Sequence, residues 1–240
     1  MNQDKKVAIV TGASRGIGKA IAINLLEQNY FVVGVYNSSD SLASEIAKQY
    51  PDILMIKGDV GNNDDAKRVI QTTIDKYGKI DVLINNAGVD CGSTIENYKV
   101  EDWDRLFNTN IKSVFLFSKY SIPYLKNSEN PVIINISSRL GFPEFSENEY
   151  IVYGTTKAAV TYFTQALAKE LEGTKIRVNA VIPTVTKTAM FDQAFSQEDE
   201  EMFKNKGKLG KIEDVVNAVI KLINDPSVTG KIQIDERIYL

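Results

Sequence analysis

Tyr153 and Lys157 stand four residues apart in an amphipathic stretch, a spacing that places both side chains on one helix face. A free phenol ionises near pH 10, too high for efficient acid–base work at neutral pH, and an adjacent ammonium lowers that value. Such a pair can hand a proton to a carbonyl oxygen or take one from an alcohol. Of the 11 tyrosines only Tyr153 has lysine at this offset, although one surface Tyr–Lys pair is also what chance provides. Ser138 stands just past a strand candidate, where sheet ends open onto a ligand crevice. Its hydroxyl could bond a substrate oxygen; a turn-forming role is the alternative. The chain has no histidine and one cysteine, Cys91. Those counts exclude Ser-His-Asp and Cys-His nucleophiles, His-ligated or Cys₄ zinc and any internal disulfide. No metal site is assigned.

A second group of residues could hold a phosphate. Thr11-Gly12-Ala13-Ser14-Arg15-Gly16-Ile17-Gly18 joins a strand candidate to a helix candidate. Such a loop offers free N–H groups and a positive dipole end to an anion, and its glycines let backbone approach a pyrophosphate. The pattern is Gly-x-x-x-Gly-x-Gly; it is not a Walker A loop, because Ala20 follows Gly18-Lys19. A tight turn with packing glycines remains the alternative. The next strand ends Tyr36-Asn37-Ser38-Ser39, with no acid before Asp40 to take a ribose 2′-hydroxyl. With Arg15 in reach, the reading favours NADP over NAD; Arg15 as a solvated cation leaves the choice open.

Alternating elements must position these groups. Strand candidates are Lys6–Thr11, Phe31–Tyr36, Ile53–Lys57, Val82–Asn85, Val132–Ser137, Ile176–Val181 and Lys231–Asp235. Helical patterns cover Gly16–Gln28, Ser41–Gln49, Asp64–Tyr77, Val100–Leu125, Tyr153–Leu171 and Ile212–Ile223. The alternation predicts a doubly wound parallel α/β sheet of about seven strands with helices on both faces. The acidic run Glu198–Glu201 reads as a solvated helix start. With 240 residues, 43% of them apolar and 25% charged, the chain suits a single domain over 1–240 with a sizeable core. A net charge of −3 argues against nucleic acid as a partner. No run reaches the roughly 18 apolar residues of a membrane span, and Val7–Val10 is too short for a signal peptide core. One unpaired cysteine suits the cytoplasm.

Further marks stand in order: Asp59-Val60 after the third strand, Asn85-Asn86-Ala87-Gly88 after the fourth, Asn110 in the fourth helix, and Val178-Asn179-Ala180 running to Pro183. With the glycine loop, Ser138 and Tyr153-x-x-x-Lys157, they resemble the short-chain dehydrogenase/reductase family over nearly the whole chain. The nearest branch is that of the bacterial 3-oxoacyl-acyl-carrier-protein reductases. The resemblance implies a Rossmann-type catalytic domain. It implies that Gly12, Ser14, Arg15, Gly16, Ile17 and Gly18 hold the pyrophosphate and ribose phosphate, and that Asn37 and Ser38 line the adenosine end. Asp59 and Val60 would contact adenine, with Asn86, Ala87 and Gly88 forming the wall beside it. Tyr153 would be the general acid, Lys157 would lower its pKa and bind the nicotinamide ribose, and Ser138 would orient the carbonyl. Asn110 would hold a water linking Lys157 to solvent. Thr186 and Thr188, after Pro183, would fix the nicotinamide amide. The resemblance also implies a homotetramer or homodimer, with the long fourth and fifth helices packed across subunits.

Three departures from the family pattern stand out. Thr184 follows Pro183 where glycine is usual. The Ser138–Tyr153 interval of 15 residues is about two longer than is usual in this branch, which puts 142–150 at the pocket mouth. The tail Thr229–Arg237 lacks its paired glycines. Phe142, Phe145, Met190, Phe191 and Phe195 could line an apolar pocket or simply anchor loops. Glu129 and the mouth acids Glu144, Glu147 and Glu149 argue against docking of an acidic carrier protein. The expected activity is NADPH-dependent reduction of a small or medium ketone to a secondary alcohol. The fatty-acid reductase step, an NAD-dependent sugar or alcohol dehydrogenase and a non-catalytic nucleotide sensor are the alternatives.

Overall fold

Strands β1 (Val7–Thr11), β4 (Val82–Asn85), β5 (Val132–Ile136) and β6 (Arg177–Ile182) are buried at every residue. That is the mark of strands covered on both faces, and it explains their near-continuous apolar runs. They form the centre of a seven-stranded sheet completed by β2 (Phe31–Tyr36), β3 (Ile53–Lys57) and β9 (Ile232–Ile234). The order is β3-β2-β1-β4-β5-β6-β9, and every pairing is parallel. This computed structural model describes residues 5–188, 191–192, 196–206 and 209–234.

Side chains alternate across the sheet with period two. In β1, Ala8 and Val10 face a core shared with α1 (Gly16–Glu27), α2 (Asp40–Gln49) and the helix Ile212–Asn224, here α8. Ile9 faces the opposite core, built with α3 (Asn63–Tyr77), α5 (Ser113–Leu125) and α6 (Ile151–Glu170). Helix α4 (Val100–Phe107) leads into α5, and α7 (Gln197–Asn205) starts at a Ser196–Asp199 capping box. The acidic run therefore does begin a helix.

Two differences from the sequence reading matter. The stretch Val100–Leu125 is not one α-helix: a π-turn at Asn108–Lys112 separates α4 from α5. Hydrophobic periodicity cannot reveal one added residue in a turn. Two short parallel strands, β7 (Val185–Thr186) and β8 (Leu209–Gly210), also pair outside the main sheet. Each is too short to carry a periodic signal.

The strand order reverses between β1 and β4. Loops leaving these strands diverge, and the crevice opens outside their carboxyl ends. The glycine loop follows β1, Asn86-Ala87-Gly88 follows β4, and Ser138 follows β5.

Candidate active site

The glycine loop is stapled to the loop after β4. Thr11 Oγ1 accepts the N–H groups of Asn86 and Ala87, both at 3.0 Å, and Asn86 Nδ2 donates to Thr11 O at 2.8 Å. A Cβ at Gly18 would overlap the Gly12 carbonyl oxygen and Asn86 Nδ2, so only glycine fits there. Gly12 itself has φ +69°, in the left-handed region. Arg15 is the N-cap of α1 and its side chain caps nothing; the first turn holds no acid. The opening N–H groups of α1 thus keep their capacity for an outside acceptor. By contrast α3 is capped by Asn62, which accepts from Asp64 N and Asp65 N. Across the groove, Thr188 Cβ lies 3.8 Å from where a Gly16 Cβ would be. A cradle of glycines over an uncapped helix start fits a dinucleotide pyrophosphate.

At the far end, Asn37 and Ser38 are exposed, and so is Arg15, which makes no ion pair among the described residues. Sequence reasoning missed Lys57. The β2–β3 register sets it beside Tyr36, and its Nζ bonds Asp40 Oδ2 at 2.7 Å. The Tyr36 hydroxyl also donates to Asp40, and these bonds, Lys57 first, hold the Asp40 carboxyl below its usual range. Only knowledge of the strand order could have found that pair. Val60 is buried, and Asp59 Oδ1 accepts Gly61 N–H at 2.9 Å.

Helix α6 brings Tyr153 and Lys157 to the turn that carries Ser138. Close packing does this: a Cβ on Gly154 would run into the Leu140 carbonyl oxygen. Ser138 stands close enough to the Tyr153 hydroxyl to draw its pKa down, and its own Oγ accepts Leu140 N–H at 3.3 Å. Lys157 is buried; its Nζ donates to Ile136 O at 3.0 Å and lies 5.6 Å from the Tyr153 ring centroid. The expected lowering of the phenol pKa is not what this geometry gives. Withdrawal from water, Asp90 and Tyr150 hold the Tyr153 phenol above its ordinary value, with Ser138 pulling the other way. The ammonium is spent on a backbone carbonyl, and burial pushes Lys157 down to about 8, with Asp90 resisting.

The sign of the Lys157 shift sets a test. Between about pH 8 and the ordinary lysine range the unfolded chain binds the extra proton, so stability should rise with pH there. Urea unfolding should show about 1–2 kcal/mol gained between pH 8 and 9.5 that Lys157→Met lacks. A slope shared by both proteins would contradict a buried, weakened ammonium.

Asn110 is 1% exposed and sits in the π-turn. Its Oδ1 accepts Val89 N–H at 2.8 Å; its Nδ2 donates to Val89 O at 2.9 Å and Thr156 Oγ1 at 3.0 Å. Both amide hydrogens are therefore committed to protein partners, and the side chain clamps the post-β4 loop to α6. Thr156, absent from the sequence reading, is the third party to that clamp.

Pro183 follows β6, and Thr186 Oγ1 donates to Thr184 O at 2.8 Å. Thr184 is buried, and its hydroxyl fills the space that a side chain at Gly210 would need. Phe191 is buried against Phe203 of α7, ring centroids 6.0 Å apart, which ties it to that helix. Met190, Phe195 and Asp235–Arg237 lie outside the described residues. In the 139–150 segment, Phe142 and Phe145 are half-buried, Arg139 pairs with Glu147 at 2.6 Å, and the Glu149 carbonyl accepts Ser93 N–H at 2.8 Å.

A parallel sheet with its crevice at the β1/β4 reversal, a glycine cradle and a Ser–Tyr–Lys cluster define a nucleotide-dependent oxidoreductase. The chain belongs to the short-chain dehydrogenase/reductase family: the short chain dehydrogenase family model matches residues 6–199. It is 34% identical over 243 residues to the 3-oxoacyl-(acyl-carrier-protein) reductase FabG of Thermotoga maritima, covering 97% of this chain and 96% of that one. An uncharacterized oxidoreductase of Staphylococcus epidermidis is 34% identical over 224 residues, 93% of each. A short-chain dehydrogenase from Burkholderia cenocepacia, solved in complex with NADP, superposes with TM-score 0.88 at 26% identity over 97% of each chain. The protein is an NAD(P)-dependent oxidoreductase. Among the described residues no helix is long and apolar enough to cross a membrane.

Proposed function

We propose that the protein uses NADPH to reduce a small or medium ketone to a secondary alcohol, with residues 1–240 acting as one cytoplasmic catalytic domain. One observation carries this reading: Ser138, Tyr153 and Lys157 converge at the carboxyl end of β5, with Lys157 Nζ bonded to Ile136 O and 5.6 Å from the Tyr153 ring centroid. The glycine loop would hold the pyrophosphate, Lys157 the nicotinamide ribose, and Pro183, Thr186 and Thr188 the amide end. Bound there, the cofactor supplies a hydride.

The protein's own residues handle the proton. A phenol held above its ordinary pKa keeps its proton at neutral pH, which suits the reductive direction. Ser138 holds the carbonyl oxygen at donor distance, and the Tyr153 hydroxyl gives up its proton to it. The phenolate left behind is stabilised by the Lys157 ammonium, which with a pKa near 8 is already mostly charged at neutral pH. The pair interacts strongly only once charge develops, which is where binding energy lowers a barrier.

Arg15 is the residue that would read a 2′-phosphate. Arg15→Ala should weaken NADPH about tenfold in a fluorescence titration and leave NADH unchanged. Equal weakening of both would overturn the NADP preference.

The names of the FabG relatives favour a second reading, reduction of a 3-oxoacyl carrier-protein thioester. Exposed Glu144 and Glu149 at the mouth oppose docking of an acidic carrier. Steady-state rates on acetoacetyl-carrier protein and on its free thioester decide between them: a large carrier preference establishes the second reading. Exposed Trp103, Phe115 and Tyr162 on α4, α5 and α6 suit a dimeric or tetrameric assembly.

A further inference from the structure

Asp90 lies two residues beyond Gly88, on a loop that runs along the polar cluster. A Cβ on Gly88 would stand 3.5 Å from both Asn110 Oδ1 and Lys157 Nζ. Val89, between them, is gripped at its N–H and its carbonyl by Asn110, so the loop is fixed where Asp90 leaves it. Asp90 is half-buried, and desolvation raises its pKa. Its Oδ1 accepts Cys91 N–H at 2.7 Å. That uses one of the roughly four lone-pair positions of a carboxylate, and among the described residues no other donor reaches it.

The two cations that bear on Asp90 are engaged elsewhere. Lys157 donates to Ile136 O at 3.0 Å, and Arg105 pairs with Asp102 at 3.0 Å. The carboxylate also makes ionisation of Tyr98, Tyr150 and Tyr153 harder, so it stands near all three phenols. Among the described residues of 139–150, the one cation, Arg139, is bound to Glu147.

We propose that Asp90 determines substrate choice: it accepts a hydrogen bond from a hydroxyl or ammonium group carried beside the reacting carbonyl, and it turns away ketones bearing an anion there. This rests on the ketone-reductase reading above. A half-buried acceptor left without a donor costs binding energy, so a substrate lacking the donor loses more than one contact. A second anion in a site poor in water is repelled more strongly than in bulk solvent.

Four ketones of similar size test it with NADPH: 1-hydroxypropan-2-one, 1-aminopropan-2-one, butan-2-one and acetoacetate. Wild type should favour the first two over butan-2-one and should use acetoacetate worst. Asp90→Asn keeps the shape and an oxygen for Cys91 N–H but removes the charge. It should lower kcat/KM for the aminoketone by about tenfold relative to butan-2-one and raise that for acetoacetate relative to butan-2-one, whatever common change follows from the altered charge beside Tyr153 and Lys157. Asp90→Leu should also remove the preference for the hydroxyketone. Calorimetric titration with 1-aminopropan-2-ol gives a readout independent of turnover. Tight binding to wild type that weakens in Asp90→Asn, without turnover of any ketone, sinks the reductase reading and keeps the Asp90 assignment. Turnover with an unchanged order of substrates in both variants does the reverse.

Discussion

Tyr153→Phe is expected to slow ketone reduction at least about a thousandfold while binding NADPH within about threefold of wild type. The substitution removes one oxygen and keeps the ring that α6 and the Ser138 turn pack around. The proton for the product must then come from elsewhere. Ser138 stands near the lost hydroxyl and has no comparable acidity. Lys157 has its Nζ on Ile136 O, with the Tyr153 ring centroid 5.6 Å away. Neither stands in for the phenol. Single-turnover kinetics with NADPH in excess reads the chemical step, and NADPH fluorescence reads binding. A variant within tenfold of wild type would show that the phenol is not the acid.

Gly18→Ala should do damage of a different kind. The new methyl would meet the Gly12 carbonyl oxygen and Asn86 Nδ2, the first of which is backbone and cannot swing aside. Relief requires either α1 or the glycine loop to shift, and both are tied to β4 through Thr11 and Asn86. Overpacking of this sort costs about 1–3 kcal/mol, which for a chain of this size lowers Tm by roughly 3–10 °C. The larger effect is on the cradle: NADPH affinity should fall by at least about tenfold, because phosphate-facing N–H groups lose their alignment. Thermal unfolding and fluorescence titration check the two effects separately. Wild-type affinity in a normally folded variant would mean that the loop does not hold the phosphates.

Much of this architecture is legible in the residues. Fully buried strands write themselves as apolar runs, and β2, β3 and β4 have the boundaries that their composition suggests. The Tyr153–Lys157 spacing puts both on one face of α6, and Ser138 falls at the strand end beside them. What periodicity could not reach depends on neighbours far apart in sequence. Lys57 finds Asp40 only because β3 lies beside β2, and Thr156 matters because Asn110, 46 residues earlier, bonds to it. The phenol pKa went the opposite way for a similar reason. Sequence spacing gives the proximity of Lys157 but not the carbonyl of Ile136 that takes its Nζ, nor the carboxylate of Asp90. Asp90 carries no motif; a lone acid after a glycine reads as a turn until the Asn110 clamp shows where the loop runs.

The π-turn that holds Asn110 puts two demands on five residues in opposition. Deleting one residue from Asn108–Lys112 would let α4 and α5 fuse into an unbroken helix with better backbone bonding. The same deletion would rotate α5 against α4 by about 100°, carrying the two helices out of step with Val89 and Thr156. A search for hardier variants that rewards melting temperature alone would therefore tend to erase this irregularity, and selection for turnover would keep restoring it.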